Sequence, residues 1–103
     1  MKEILYNEAL EVLKSLIRIP SFSKEENLTA DLIQKYLESK GQKCNRHMNN
    51  VWVVHPDFQP GRPTILLNSH HDTVKPTSSW TLDPFTPTIE EGKLIGLGSN
   101  DAG

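Results

Sequence analysis

The sequence has little of several things that mark particular classes of protein. Its 103 residues include a single cysteine, Cys44, so an internal disulfide framework is excluded. No apolar stretch approaches the length that crosses a bilayer, and acidic residues stand near the N-terminus where a signal peptide would be apolar. We therefore expect a cytoplasmic protein without a membrane segment.

An excess of positive charge is also absent. Eleven Lys and Arg stand against 13 Asp and Glu, which gives a net charge of -2 and argues against a nucleic-acid partner or an anionic membrane surface. The composition is otherwise globular, with 36% hydrophobic and 23% charged residues. The chain ends in the polar, glycine-rich stretch GLGSNDAG, with no helix or strand after it to close the structure. We therefore interpret residues 1–103 as the N-terminal portion of a longer protein.

Two stretches carry the periodicity of amphipathic helices. In residues 4–19, apolar side chains recur at three- and four-residue steps, and Pro20 ends the pattern. Ser23 and Glu26 predict a capping box at the start of a second helix, in which each side chain satisfies the other's backbone N–H. Gly41 is the predicted C-terminal stop of that helix.

The period of the pattern changes after the second helix. Residues 42–47 and 49–55 predict a hairpin, and residues 86–98 predict another that turns at Glu91–Gly92. Between them, residues 64–70 (TILLNSH) form an apolar run without strict alternation, which is typical of a strand buried on both faces. Two helices followed by about five strands indicate an α/β protein.

The expected strand over residues 64–70 leads into His70, His71 and Asp72. Ligands of open α/β sheets lie beyond the carboxyl ends of the strands. Because strand side chains alternate, His70 and Asp72 would share one side and His71 would point to the other. An imidazole bound to a metal usually donates its second N–H to a carboxylate or carbonyl, which suits this pair. Taken alone, however, the stretch fits a surface or core-edge histidine better than a metal ligand.

Asp101 follows another expected strand, among glycines that let the backbone approach closely. Its carboxylate has two oxygens and can bridge two cations, as two-metal hydrolases require. By itself, an aspartate at this place is more typical of a cap on the next helix.

Four stretches, in this order, carry a resemblance to a known family: IPSFSKEE, LNSHHDTV, WTLDPF and GKLIGLGSNDAG. They resemble the zinc-dependent amidohydrolases that include acetylornithine deacetylase, succinyl-diaminopimelate desuccinylase, aminoacylase and glutamate carboxypeptidase. Within the family, TVKPTSSWTLDPFTP and LGSNDAG look most like the acetylornithine deacetylase branch. The resemblance implies that residues 1–103 are the N-terminal portion of the catalytic, metal-binding domain. That domain would be a mixed-sheet zinc-peptidase fold, incomplete here at its C-terminus.

The resemblance also implies roles for three side chains. His70 matches the first zinc ligand, and Asp101 matches the carboxylate that bridges two zinc ions; cobalt is a possible substitute metal. Asp72 is assigned a catalytic role, in which it holds His70 in register. His71 stands at a position that varies in the family, so it receives no role. Because strand alternation points it away from the metals, its replacement by alanine is expected to be nearly silent. A cis peptide bond is implied between Asp101 and Ala102.

The implied activity is that of a metallopeptidase-like deacylase, which removes the acyl group from an N-acyl amino acid such as N-acetylornithine in arginine biosynthesis. The family's general base, further ligands and a dimerisation domain come later in the chain. Residues 1–103 alone are therefore expected to be inactive, and the full-length protein is expected to be a homodimer that acts on a small molecule. Two alternatives stay open: a small non-catalytic binding domain, and a di- or tripeptidase of the same family.

Overall fold

The computed structural model describes residues 1–101, and its N-terminal half contains two helices. Helix α1 spans Lys2–Ile17 and helix α2 spans Asn27–Ser39. Both helices predicted from apolar periodicity are thus confirmed. Neither helix in this described part of the chain is long and apolar enough to cross a membrane.

Helix α2 ends as predicted, at a glycine in the left-handed conformation. Gly41 has a φ of 77°, which favours glycine because it lacks a Cβ. Its N–H donates to the Glu38 carbonyl at 3.0 Å. The Gln42 N–H donates to the Leu37 carbonyl at 3.1 Å. This pair of bonds is a Schellman motif, which satisfies carbonyl groups that the helix leaves open.

The start of α2 differs from the prediction, because the capping box does not form. Glu26 is the N-cap residue but makes no side-chain cap. Its carboxylate instead accepts the Lys24 N–H at 2.6 Å and the Asn49 side-chain amide at 3.1 Å. The Ser23 hydroxyl donates to Asp72, which lies far away in sequence. A long-range acceptor therefore replaces the local partner that the sequence predicts.

Both predicted hairpins are confirmed, although their strands are short. Strand β1, Asn45–His47, pairs antiparallel with β2, Asn50–Trp52, and β3, Thr88–Glu90, pairs with β4, Lys93–Ile95. The second hairpin turns at Glu91–Gly92, as predicted, and both turn residues have positive φ. Two successive positive φ values are typical of the tight turns that match the twist of a hairpin.

The prediction of a strand over residues 64–70 is wrong. These residues form no ladder with any other part of residues 1–101. Ile65, Leu66 and Leu67 are 87%, 82% and 91% exposed. Without a neighbouring strand and a covering layer, neither the backbone nor the apolar side chains of such a run leave water. The described chain therefore contains four strands in two separate sheets, and not about five.

The buried interior of the described residues is small and half polar. Ile17 and Ala30 are the buried apolar residues, while Ser21 and Thr29 are the buried polar ones. Ile17 packs closely on the chain just after β4, where a Cβ on Gly96 would lie only 2.7 Å from the Ile17 side chain. The end of α1 and the start of α2 each contribute buried residues to this interior. The same region carries the candidate site.

Candidate functional site

The backbone of residues 70–72 is held by the loop between α1 and α2. Phe22 and Thr73 form an isolated parallel β-bridge. The Thr73 N–H donates to the Ser21 carbonyl, and the Ser21 hydroxyl donates to the His71 carbonyl, each at 2.8 Å. Ser21 is only 4% exposed, so competition from water at these bonds is reduced. The loop therefore sets where the candidate site lies.

The His70 imidazole lies between two aspartates. Its Nδ1 is 3.1 Å from the Asp72 backbone oxygen and 3.1 Å from Asp72 Oδ1. Its Nε2 is 2.9 Å from Asp101 Oδ1. The His70 and Asp101 side chains are exposed, and the Asp72 side chain is partly sheltered. The structure thus brings together the three side chains that the sequence singles out.

These contacts shift two ionisation equilibria. The pKa of His70 is raised above its ordinary value, first by the hydrogen bond with Asp101 and then by the bond with the Asp72 backbone oxygen. The pKa of Asp72 is lowered, chiefly because the Ser23 hydroxyl donates to its carboxylate, with a smaller effect from the charge of His70. A ligand imidazole must be neutral, so metal binding at His70 would release a proton from the imidazolium form.

Close backbone approach on one side of the site depends on a glycine. Gly98 has a φ of 84°, and a Cβ there would lie 3.0 Å from Thr73 Cγ2 and 3.5 Å from the Asp101 backbone oxygen. Asp101 and His70 line a cavity of about 50 Å³ beside this turn. Pockets for small-molecule ligands are commonly 300–1,000 Å³, so this space suits ions or a few waters. A second cavity of about 460 Å³, which His70 and Asp72 also line, falls in the range for a small molecule.

The chemistry of the donor atoms fits zinc, although the set is partial. Imidazole nitrogen and carboxylate oxygen are both common zinc ligands, and His70 Nε2 faces Asp101 Oδ1. Asp72 lies on the Nδ1 side of His70, where an orienting carboxylate is expected. Within residues 1–101, no group of three or more His, Cys, Asp and Glu side chains forms a metal site. The implied cis bond between Asp101 and Ala102 lies outside the described residues.

Sequence reasoning missed the hydroxyl groups that support this site. Ser23 contacts Asp72, Ser21 contacts His71, and Thr29 contacts His71. One signal was present, because Thr29 lies four residues before Ile33 on the apolar face of α2. A hydroxyl on a buried helix face needs a hydrogen-bond partner, which could have pointed to a polar group packed against it.

Comparison with known proteins finds relatives that share one name. No family model matches the chain. The chain is similar to succinyl-diaminopimelate desuccinylases. It is 33% identical over 98 residues to the one from Stenotrophomonas maltophilia, covering 89% of this chain and 25% of that protein. It is 34% identical over 102 residues to the one from Xylella fastidiosa, covering 92% of this chain and 26% of that protein.

A third relative gives the same picture. The succinyl-diaminopimelate desuccinylase of Delftia acidovorans is 29% identical over 105 residues, which cover 92% of this chain and 27% of that protein. The chain thus spans about a quarter of the length of these relatives. The similarity supports the aminoacylase and peptidase family that the motifs resemble. It does not support the narrower acetylornithine deacetylase branch.

Proposed function

We propose that the intact protein is a metal-dependent amidohydrolase that removes an N-acyl group from an amino acid. The observation that carries this proposal is the position of His70, with Asp101 at 2.9 Å from Nε2 and Asp72 at 3.1 Å from Nδ1. The similarity to desuccinylases supports it independently. Residues 1–103 would then be the N-terminal portion of the catalytic domain.

The side chains have distinct roles in this proposal. His70 and Asp101 would hold zinc, with Asp101 bridging to a second ion; cobalt could replace zinc. When bound, these ions supply Lewis-acid catalysis, polarising the acyl carbonyl and a water molecule. The backbone oxygen and Oδ1 of Asp72 each lie 3.1 Å from His70 Nδ1, and between them they would accept the Nδ1 proton and leave the Nε2 lone pair for a metal. Ser23 donates to the other Asp72 oxygen, Oδ2, and holds that carboxylate in place.

The proposed substrate is a small N-acyl amino acid. The names of the relatives favour an N-succinyl diamino acid, whereas the motif resemblance favours N-acetylornithine. The net charge of -2 suits a small-molecule substrate better than a nucleic acid. The general base, the remaining ligands and a dimerisation domain would come from later sequence.

Metal content and activity of the intact protein test the proposal together. We expect about two zinc ions per subunit, loss of hydrolysis on chelation, and recovery with zinc or cobalt. N-succinyl-diaminopimelate, N-acetylornithine and a dipeptide should be assayed side by side. His70→Ala should lower both zinc content and turnover. His55→Ala is the matched control, because the His55 side chain is 78% exposed and lies outside the site.

The other outcomes separate the alternatives. A non-catalytic binding domain would hold no stoichiometric metal and would hydrolyse none of the three compounds. Hydrolysis of the dipeptide alone, with zinc bound, would indicate a peptidase of the same family and would refute the deacylase proposal.

A further inference from the structure

His71 makes two hydrogen bonds through its ring, although it received no role from the sequence. Its Nδ1 lies 2.7 Å from Thr29 Oγ1, and its Nε2 lies 3.0 Å from the Asn49 backbone oxygen. A carbonyl oxygen only accepts, so Nε2–H donates to Asn49. The Thr29 hydroxyl has one proton, and its oxygen lies 2.7 Å from His71 Nδ1 and 3.1 Å from the Glu26 backbone oxygen. The half-buried ring therefore links the start of α2 to the turn between β1 and β2.

The backbone of His71 is held as well as its ring. Its carbonyl accepts the Ser21 hydroxyl at 2.8 Å. Ser21 and Thr29 are 4% and 0% exposed, and they are the buried polar residues of the described chain. Both hydroxyls contact His71. A buried hydroxyl without a partner is costly, so the Ser21 bond in particular restricts where residue 71 can lie. The Thr29 hydroxyl has a second acceptor in the Glu26 backbone oxygen.

We propose that His71 is a positioning residue that preorganises His70 and Asp72 for metal binding. Each of them is joined to His71 by one peptide bond, so an anchor at the His71 ring and carbonyl limits the movement of both. The His70 side chain is itself exposed, and within residues 1–101 its ring nitrogens hydrogen-bond only with Asp72 and Asp101, so its placement depends on the backbone that carries it. This role rests on the proposed function. It adds His71 to the site, although the family resemblance assigns His71 no role.

Loss of this anchor should weaken metal binding beyond any effect on folding. Ligands that must be ordered during binding oppose it entropically, whereas ligands already held in place do not. Groups that orient metal ligands typically change metal affinity or activity by about 10–100-fold. We therefore expect His71→Ala to lower the zinc affinity of the intact protein by about 10-fold or more.

The experiment measures zinc affinity by competition with a chromophoric chelator, in the intact protein and its variants. His71→Gln should recover part of the affinity lost in His71→Ala, because its amide can donate to the Asn49 carbonyl. Thr29→Val removes a hydroxyl with little change in shape and should also weaken binding. The double variant with Thr29→Val and His71→Ala should lose less binding free energy for zinc than the two single variants lose in sum. His55→Ala, at an exposed histidine outside the site, should leave affinity unchanged.

The melting temperature of the metal-free protein separates positioning from general stability. If His71→Ala lowers the Tm while the folded variant keeps wild-type zinc affinity, the positioning role is overturned. If His71→Ala does not fold, the same comparison of Tm and zinc affinity is made with His71→Gln and Thr29→Val, and wild-type zinc affinity in both overturns the positioning role. A wild-type protein that binds no zinc overturns the proposed function and this role together. Wild-type zinc binding with unchanged affinity in the variants overturns the positioning role alone.

Discussion

Ile65–Leu67 and His71–Thr73 belong to one short stretch of sequence, yet the first group is exposed and the second is tied to the buried interior. The three apolar side chains are 87%, 82% and 91% exposed and pair with no strand in the described part of the chain. The second group forms a parallel bridge through Thr73 and accepts a hydrogen bond from the buried Ser21 hydroxyl. Polar contacts, and not apolar packing, order this stretch.

The difference separates two requirements of this stretch: the positioning of the site residues and the burial of the apolar run before them. His71 and Asp72 are held by hydrogen bonds whose partners lie within residues 21–49, and His70 is joined to them through the backbone. Burial of Ile65–Leu67 needs neighbouring strands and a covering layer, which residues 1–101 do not supply. Positioning of the site is therefore local to the described chain, whereas its hydrophobic stabilisation is not.

Leu66→Ala, introduced both into the 103-residue chain and into the intact protein, should give the largest difference in unfolding free energy. In the 103-residue chain Leu66 is 82% exposed, so we expect the free energy of unfolding to change by no more than about 0.5 kcal/mol. In an intact protein that covers the run, the same change should cost about 2–5 kcal/mol, because it removes buried apolar contacts and leaves a cavity. Chemical denaturation measures both values.

The substitution His55→Ala provides the control for chain length, since an exposed side chain outside the run should matter little in either protein. A cost of less than about 1 kcal/mol for Leu66→Ala in the intact protein would show that the run stays in water. The contrast between the two groups would then be a property of the whole protein.

Asp72→Asn tests the ordered part of the stretch. In the intact protein we expect most zinc to remain bound while turnover falls by about 10–100-fold, because the amide keeps the size of the carboxylate but loses the charge that orients His70. Asp57→Asn is the matched control, since Asp57 lies 3.9 Å from His55 in a second, exposed His–Asp pair. Equal losses of turnover from the two substitutions would contradict a special role for Asp72.

The sequence predicted those parts of the fold whose signals are local. Gly41 ends α2 and Glu91–Gly92 turns the second hairpin because the required positive φ values are properties of a few adjacent residues. The strand over residues 64–70 needs a distant partner, and no local pattern shows whether that partner exists. The capping box does not form for a related reason, because the Ser23 hydroxyl donates to Asp72, which is distant in sequence, and does not pair with Glu26.

The candidate site could be predicted in part. His70, Asp72 and Asp101 stand in motifs that resemble a family, and they meet in space. The hydroxyl contacts that support the site could not be predicted from the sequence in the same way. Strand alternation separates His71 from the other two and so predicts that it does not contact the metals. In the structure, buried hydroxyl groups contact His71. The alternation of side chains along a strand cannot predict such a tertiary contact.

Gly98→Ala tests the close approach between the Asp101 turn and the ordered group. Gly98 and Gly61 have φ values of 84° and 86°, but only at Gly98 would a Cβ meet a neighbour within 4 Å, at Thr73. Alanine at Gly61 should cost about 1–2 kcal/mol for the left-handed conformation. Alanine at Gly98 should cost more, because the Thr73 methyl group must also move. Equal unfolding free energies for the two variants would show that this contact is unimportant.

Ser23→Ala should give the smallest effect, on the ionisation of Asp72. The Ser23 hydroxyl is the main cause of the lowered pKa of Asp72, since a hydrogen bond donated to a carboxylate favours its ionised form. Its removal should move the pKa of Asp72 upward, toward the ordinary value. Carboxyl-carbon NMR of the metal-free intact protein measures this shift. Ser78→Ala, at an exposed serine in the loop that follows Asp72, is the control.

The direction of this pKa shift also fixes how stability should depend on pH. A lowered carboxyl pKa stabilises the folded state above the ordinary pKa, and that contribution disappears as the pH falls through the lowered value. In Ser23→Ala the two values lie closer together, so the contribution is smaller, and as the pH falls it is completely lost at a higher pH than in the wild type. The difference in unfolding free energy between wild type and Ser23→Ala should therefore be present near neutral pH and shrink in acid. If it stays constant through that range, Ser23 stabilises the fold without acting through the Asp72 charge.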